Sequence, residues 1–293
     1  MTRSVRIVLL SAAGLAALSA VFAQGFYRGG NNVRWIAESV STPREVGNHV
    51  VDTPVWTNRT GFERDVFTFV RVEYDSANTG SRGGGGGWTT DTPDSDLNVA
   101  YRLQEITSLR TDPDGRYIRL TDPHLADFPF IYIVEPGRLY LHPEEITALR
   151  AYLNNGGFLM LDDFWGDAAW NNVAHVFKQV FPERNFTELP LDHPMYRSVF
   201  AITEKGQVPN VNVGSNSRYT GVTWENHDGD TRTVHHRAIL DDKGRIMVFA
   251  AHNTDNGDGC EREGEDPYYF ENFSLKYAYP LGINLIEIGR AHV

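Results

Sequence analysis

The chain has 293 residues, 41% of them hydrophobic and 22% charged, with a formal net charge of −11. It is long and apolar enough for one large core, which excludes a disordered or fibrous chain. Its acidity repels phosphate backbones and anionic headgroups, which argues against nucleic acid or a membrane surface as partner.

Residues 1–23 stand apart. Arg3 and Arg6 make a basic start, residues 7–23 are an apolar run, and Val21-Phe22-Ala23 places small residues where a signal peptidase reads. We expect a signal peptide cleaved before Gln24, a periplasmic or secreted protein, and no membrane insertion after cleavage. The alternative is an uncleaved anchor, for which the run lies at the short end of the ~17–25 residues of a span. Cys260 is the only cysteine, so an exported chain has no internal disulfide and its core must carry the stability.

Residues 24–65 have weak periodicity and scattered Gly, Asn, Thr and Pro, and read as an extended or poorly ordered leader. A single α/β domain is expected over 66–293. It opens on VFTFVRVEY (66–74), an apolar run that turns to alternation, as in a strand near a sheet edge. Five glycines (83–87) precede Trp88 without any GxxxxGK[ST] motif, so they read as a surface loop, with a lid carrying Trp88 as the alternative. Asp94, Asp96 and Asn98 imitate half a calcium loop, but Val99 stands where the loop needs glycine. Asp94 is instead expected to cap a helix over 95–109. A short strand follows at 118–120.

The strongest pattern is the strand Phe130–Val134, the turn Glu135-Pro136-Gly137, a helix opening at His142-Pro143, and a second apolar strand over 158–161. Pro143 suits the first helical position, Glu144 and Glu145 suit the helix dipole, and Gly156-Gly157 ends the helix. Strand, helix and strand in one run imply a right-handed parallel crossover in a mainly parallel sheet. Ligands of open α/β sheets bind beyond the carboxyl ends of the strands. Glu135, Asp162, Asp163 and Trp165 fall there and are ligand-binding candidates. In the competing reading, Asp163 or Asp167 caps a helix beginning near Ala168.

That helix is expected over 168–181. His193 precedes Pro194, either as a ligand or base or as a structural residue. Residues 206–230, rich in Asn, Gly and Ser, read as a surface excursion. Strands at 235–240 and 245–250 meet at Asp241-Asp242-Lys243-Gly244 as a hairpin. The second ends on His252-Asn253-Thr254-Asp255, which adds His252, Asn253 and Asp255 to the candidates. Cys260 lies in what reads as a polar, glycine-rich loop and is taken as incidental. An aromatic helical stretch (268–273) and a final helix (281–290) close the chain.

The blocks FTFVRVEY, WTTDTPDSDLNVAYRLQEITSL, RLTDPHLADFPFIYIVEPGRLYL, NNGGFLMLDDFWG, LPLDHPMY and HNTDNGDGCEREGEDPYYF together resemble the bacterial domain of unknown function 4159 family, over about residues 66–290. The resemblance implies a class I glutamine amidotransferase-like fold: a flavodoxin-like three-layer sandwich, here with an added β-hairpin. In active amidotransferases the strand matching 158–161 leads to a nucleophilic cysteine. This chain has Asp162-Asp163-Phe164-Trp165 there, and no GxSxG, so thiol-dependent amide transfer is not expected.

The expected function is therefore a non-catalytic ligand- or partner-binding module of the cell envelope. A small polar molecule, a glycan or a partner protein would sit over the strand ends. Trp88, Trp165, Tyr268 and Tyr269 are available for stacking on a sugar, with core packing as the competing reading. The alternative is a carboxylate- or metal-dependent hydrolase in which Asp162, Asp163 and His252 hold a divalent metal or supply a base. No other cofactor is expected.

Overall fold

The computed structural model describes residues 36–48, 52–61, 66–76 and 87–290. The expected signal peptide and most of the glycine loop lie outside the described residues. No helix among the described residues is long and apolar enough to cross a membrane.

In chain order the elements begin with β1 (Val70–Glu73), β2 (Asp75–Ser76), α1 (Asp94–Ile106), β3 (Arg116–Arg119), β4 (Phe130–Val134), β5 (Leu139–Tyr140) and α2 (Pro143–Asn154). They continue with β6 (Phe158–Phe164), α3 (Gly166–Val180), β7 (Thr187–Glu188), α4 (Val211–Thr220), β8 (His235–Leu240) and β9 (Ile246–His252). After them come α5 (Asn256–Glu261), α6 (Pro267–Tyr269), a π-helical stretch Phe270–Ala278 and α7 (Tyr279–Arg290).

The fold is mixed α/β around a seven-stranded sheet of order β3-β1-β4-β6-β9-β8-β7. The first five strands are parallel, and β8 and β7 run antiparallel at one side. Counted along the chain, the parallel strands stand in the order second, first, third, fourth, fifth. The direction of winding thus reverses between β1 and β4, the kind of switch point at which loops leaving neighbouring strands part and a crevice is expected.

Helices cover both faces. Leu149 and Leu153 of α2 and Val173 and Phe177 of α3 pack on Leu159, Leu161, Val248 and Ala250. On the other face Val99 and Leu103 of α1 and Leu281 and Leu285 of α7 meet Phe158, Met160, Phe249 and Ala251. Strands buried on both faces have no need of polar alternation, hence the apolar runs of β4 and β6.

Several expectations change. The first strand does lie near a sheet edge, with only β3 outside it, yet all four of its residues are buried. The helix expected over 95–109 begins at Asp94 and stops at Ile106, where the Thr107 hydroxyl donates to the Leu103 carbonyl. Asp94 is not at the cap position: it is the first helical residue, and Pro93 occupies the cap. The excursion at 206–230 contains α4, whose Asn210 side chain accepts from the Val213 amide and whose end is the left-handed Gly221. The stretch around Cys260 is no loop but α5, all six residues of it buried. The two closing helices are one run from Pro267 to Arg290, held continuous through the π segment.

Part of the leader packs on the domain. Ile36, Val40 and Val46 join the core beside β3. The Tyr117 amide of β3 donates to the Ser41 carbonyl (2.8 Å), and the Arg44 amide donates to the Asp114 carbonyl.

Candidate functional site

The carboxyl ends of the central strands converge on one edge of the sheet, and the backbone there is unusual. Asp91, Glu135, Asp163 and Asn253 are the non-glycine residues with positive φ among the described residues, at 63°, 47°, 54° and 63°. Such left-handed residues carry a steric cost that surrounding structure must hold in place. Glu135 directly follows β4, and Asn253 follows β9. Asp163 lies inside β6, where the register against β9 shifts between Leu161 and Phe164. A bulge of this kind re-aims a side chain that regular alternation would send elsewhere.

The effect is to split the Asp162-Asp163 pair. Asp162 points into the α1/α5 face and accepts from Tyr132 Oη (3.0 Å), Asn256 Nδ2 (2.7 Å) and the Gly257 amide (3.0 Å). Burial pushes its carboxyl up to about 6 against the pull of those donors. That value suits a general acid, but both oxygens are committed to tying β6 to the start of α5. Asp163 instead joins Asp91 and Asp255: each offers a carboxylate oxygen, and the three lie within 4.8 Å of one another.

Each member of this trio is placed by a different element. Asp255 caps α5, accepting from the Asp258 amide at 2.7 Å. Asp163 Oδ1 accepts from Trp165 Nε1 at 3.2 Å. Asp91 sits in the turn before α1, where its carbonyl accepts from the Ser95 amide. Asp91 is 6% exposed, and its Oδ2 is buried with no hydrogen-bond partner.

The electrostatics are one-sided. Burial first, and then Glu135, Asp91 and Glu225, push the Asp163 carboxyl well above the usual range. Burial and then Asp163, Asp258 and Asp91 do the same to Asp255. Asp91 is raised by burial, Glu261 and Asp258, with Arg71 opposing. Glu135 is raised chiefly by burial, although it accepts from the Gly87 amide. A second group, Asp91 with Asp258 and Glu261, adjoins the first. It differs in having a cation: Arg262 Nε lies 2.7 Å from Glu261 and 3.3 Å from Asp258.

The other candidates are placed as follows. His252 lies on the α2/α3 face, its ring packed against Phe164, Trp170 and His235. Its Nε2 donates to the Gly166 carbonyl (3.0 Å), its Nδ1 accepts from Arg237 (3.0 Å), and burial brings it down to about 4. The sheet lies between it and Asp162, so the two do not meet. Asn253 accepts from the Gly166 amide and donates to the Asp230 and Thr233 carbonyls, which spends its side chain on loop anchoring. His193 caps the turn Pro194–Arg197 by accepting from the Met195 amide. Trp165 is buried and stacks on His227 at 6.3 Å, Trp88 packs edge-on to Tyr117, and Tyr269 is fully buried. These three aromatics are core residues with no face for a sugar.

The helix-cap reading of Asp163 and Asp167 is also replaced. The start of α3 is capped from a distant loop: Asp228 accepts from the Ala168 amide through Oδ2 (2.9 Å) and from the Asp167 amide through its carbonyl (3.2 Å). Asp163 is left for the crevice. Sequence reasoning missed Asp91, Glu225 and Glu261. Asp91 and Asp255 are separated by most of the sheet in the chain, and no local spacing links them.

A small apolar cavity of ≈ 30 Å³ lies behind Asp162, lined by Phe130, Tyr132, Met160, Cys260 and Ile286 among others. It is far below the ~300 Å³ of a small-molecule pocket. Cys260 faces it as a buried thiol that burial pushes well up, so no thiolate is available.

The family model described as "Domain of unknown function (DUF4159)" matches residues 68–288. No curated protein matches the chain.

Proposed function

The chain belongs to the domain of unknown function (DUF4159) family, and from that premise we propose that it is an exported, non-catalytic binding module of the cell envelope. Its ligand or partner sits in the acidic crevice at the carboxyl ends of β1, β4, β6 and β9. The observation that carries this reading is the trio Asp91, Asp163 and Asp255, gathered within 4.8 Å. Among the described residues no Lys or Arg forms an ion pair with any of the three. Unbalanced negative charge at a topological switch point selects a cationic group or a dense set of hydrogen-bond donors. The partner class is accordingly an envelope protein or glycan that carries such groups.

Three further features support the reading. The order of the parallel strands is that of flavodoxin-like sheets, in keeping with a class I glutamine amidotransferase-like three-layer sandwich to which the antiparallel β8 and β7 are added. The end of β6 carries carboxylates and no thiol or hydroxyl nucleophile. Arg3, Arg6 and the apolar run 7–23 support export.

A thermal-shift screen of the purified chain against cationic, glycan and peptide ligands tests the proposal, run beside Asp163→Asn. A shift in the unaltered protein that the variant loses is the expected result. Turnover of any ester, amide, phosphate or glycoside that disappears in Asp163→Asn would overturn the non-catalytic reading.

A further inference from the structure

We infer that Asp91, Asp163 and Asp255 are the ligands of a hard divalent cation, Ca²⁺ or Mg²⁺, bound in the crevice. The inference rests on the crevice being a binding site and names what it takes first.

The geometry is that of a converging set of oxygen donors. Three carboxylates from three separate elements each offer one oxygen, all within 4.8 Å of one another. Oxygens bound to one cation at about 2.0–2.6 Å stand at most about 5.2 Å apart, so a group this close can share one ion. Asp163 and Asp255 are oriented by the structural bonds they accept from Trp165 and from the Asp258 amide. Orientation of ligands by outer partners is the usual construction of a metal site.

An acidic cluster alone does not make a site, and the independent observation here is Asp91. Its Oδ2 is buried and has no hydrogen-bond partner among the described residues, and Asp91 is a member of the cluster. A buried carboxylate oxygen without a donor carries the full cost of desolvation. Two nearby acids of similar burial escape that cost: Asp162 has three donors, and Asp96 has Arg71. Among the described residues, no donor reaches the Asp91 Oδ2.

The donor set fixes the class of metal. It contains carboxylate oxygen and no sulfur or imidazole, because Cys260 faces the cavity and His252 lies across the sheet. Oxygen-only sites suit Ca²⁺, Mg²⁺ and Mn²⁺ rather than Zn²⁺ or Cu²⁺. Asp163 is half-buried where Asp91 and Asp255 are buried, so the crevice has a side open to water and to an entering ion. The same open side leaves coordination positions for water, or for a hydroxyl or carboxylate of an envelope ligand.

The test uses the purified chain, treated with chelator and transferred to metal-free buffer. Calcium, magnesium, manganese and zinc chlorides are titrated separately by calorimetry and thermal shift at fixed ionic strength. The expected result is one Ca²⁺ or Mg²⁺ per chain and a raised Tm, with affinity falling about 100-fold in Asp91→Asn and Asp255→Asn. Both variants exchange a carboxylate for a near-isosteric amide, and their metal-free Tm reports whether they fold. Terbium is a second readout: Trp165 is hydrogen-bonded to a ligand, so excitation of tryptophan should sensitise Tb³⁺ emission that Ca²⁺ displaces. Absence of divalent binding in the unaltered chain overturns the inference, as does binding that Asp91→Asn and Asp255→Asn leave intact. If the metals fail while a cationic peptide or polyamine still shifts Tm in an Asp163-dependent way, the cation site is overturned and the binding module stands.

Discussion

Asp91 and Asp96 flank the same turn at the start of α1, both are buried, and their surroundings are opposite. Asp96 meets Arg71, fully buried on β1, through Nε at 2.9 Å and a terminal nitrogen at 2.5 Å. Arg71 also donates to the Trp88 and Thr90 carbonyls and to Ser95 Oγ. This is a closed network, with its charge balanced and its donors used. Asp91 faces Asp163, Asp255, Asp258 and Glu261, and has an oxygen with no donor. Burial is common to both acids, so burial does not separate a structural charge from a binding one. The separating property is whether the chain brings its own counter-charge.

The largest test of that contrast is to remove the counter-charge from the closed side. Arg71→Met strands Asp96 and should cost about 3–5 kcal/mol in denaturant unfolding. Adding Asp96→Leu should restore most of the loss, because an apolar pair replaces a buried ion pair at small cost. A double variant no more stable than the single one would show that the network is held by packing and not by charge.

His236 offers a second comparison, as a buried group kept uncharged. Burial lowers its pKa from 6.5 to about 3. Between those values the unfolded chain binds the proton and the native chain does not. Stability is therefore full above pH 6.5 and is lost progressively as the pH falls toward about 3. The loss should reach roughly 2–4 kcal/mol at the acid end. His236→Phe should flatten that slope, at the cost of stranding the hydroxyl of Tyr196, its partner at 3.0 Å. Urea midpoints taken across the window check it; parallel slopes in the two proteins would remove His236 as the source.

The smallest effect compares two acids at the same strand end. Asp228 caps α3, so Asp228→Ala should lower stability by about 1 kcal/mol and leave the response to divalent cations unchanged. Asp163→Asn should do the reverse, abolishing the response while the metal-free protein holds or gains stability. Equal losses of cation response in both variants, measured by thermal shift, would erase the distinction between cap and ligand.

What could be read from the chain follows from the range of each signal. The unit β4–α2–β6 was legible because its cues are local: a proline at the first helical position, a glycine stop, and two apolar runs. The hairpin β8–β9 was legible from Asp241-Asp242-Lys243-Gly244 for the same reason. α5 was not, because Asn-Gly-Asp-Gly-Cys-Glu has low helix propensity and owes its form to Asp162 and Asp255 holding its first amides. Half of the site was visible: Glu135, Asp163 and Asp255 follow from the rule that ligands gather at strand ends. Asp91 did not, since its neighbours come from tertiary closure. The two faces of the Asp162-Asp163 pair hinge on a bulge, and no residue type announces one.

The strip formed by Ile36, Val40 and Val46 has a further consequence, for where the folding unit begins. It covers the outer edge of β3, whose free amide at Tyr117 is taken up by the Ser41 carbonyl. At the opposite margin β7 is two exposed residues long, too short to template another strand. A protein trimmed to start at β1 would keep every crevice residue and lose this sheath. Its uncovered edge and vacated apolar strip would then invite copies of itself to stack strand on strand. The N-terminal segment is in that sense a built-in chaperone for the sheet, covering its edge while leaving the crevice unchanged.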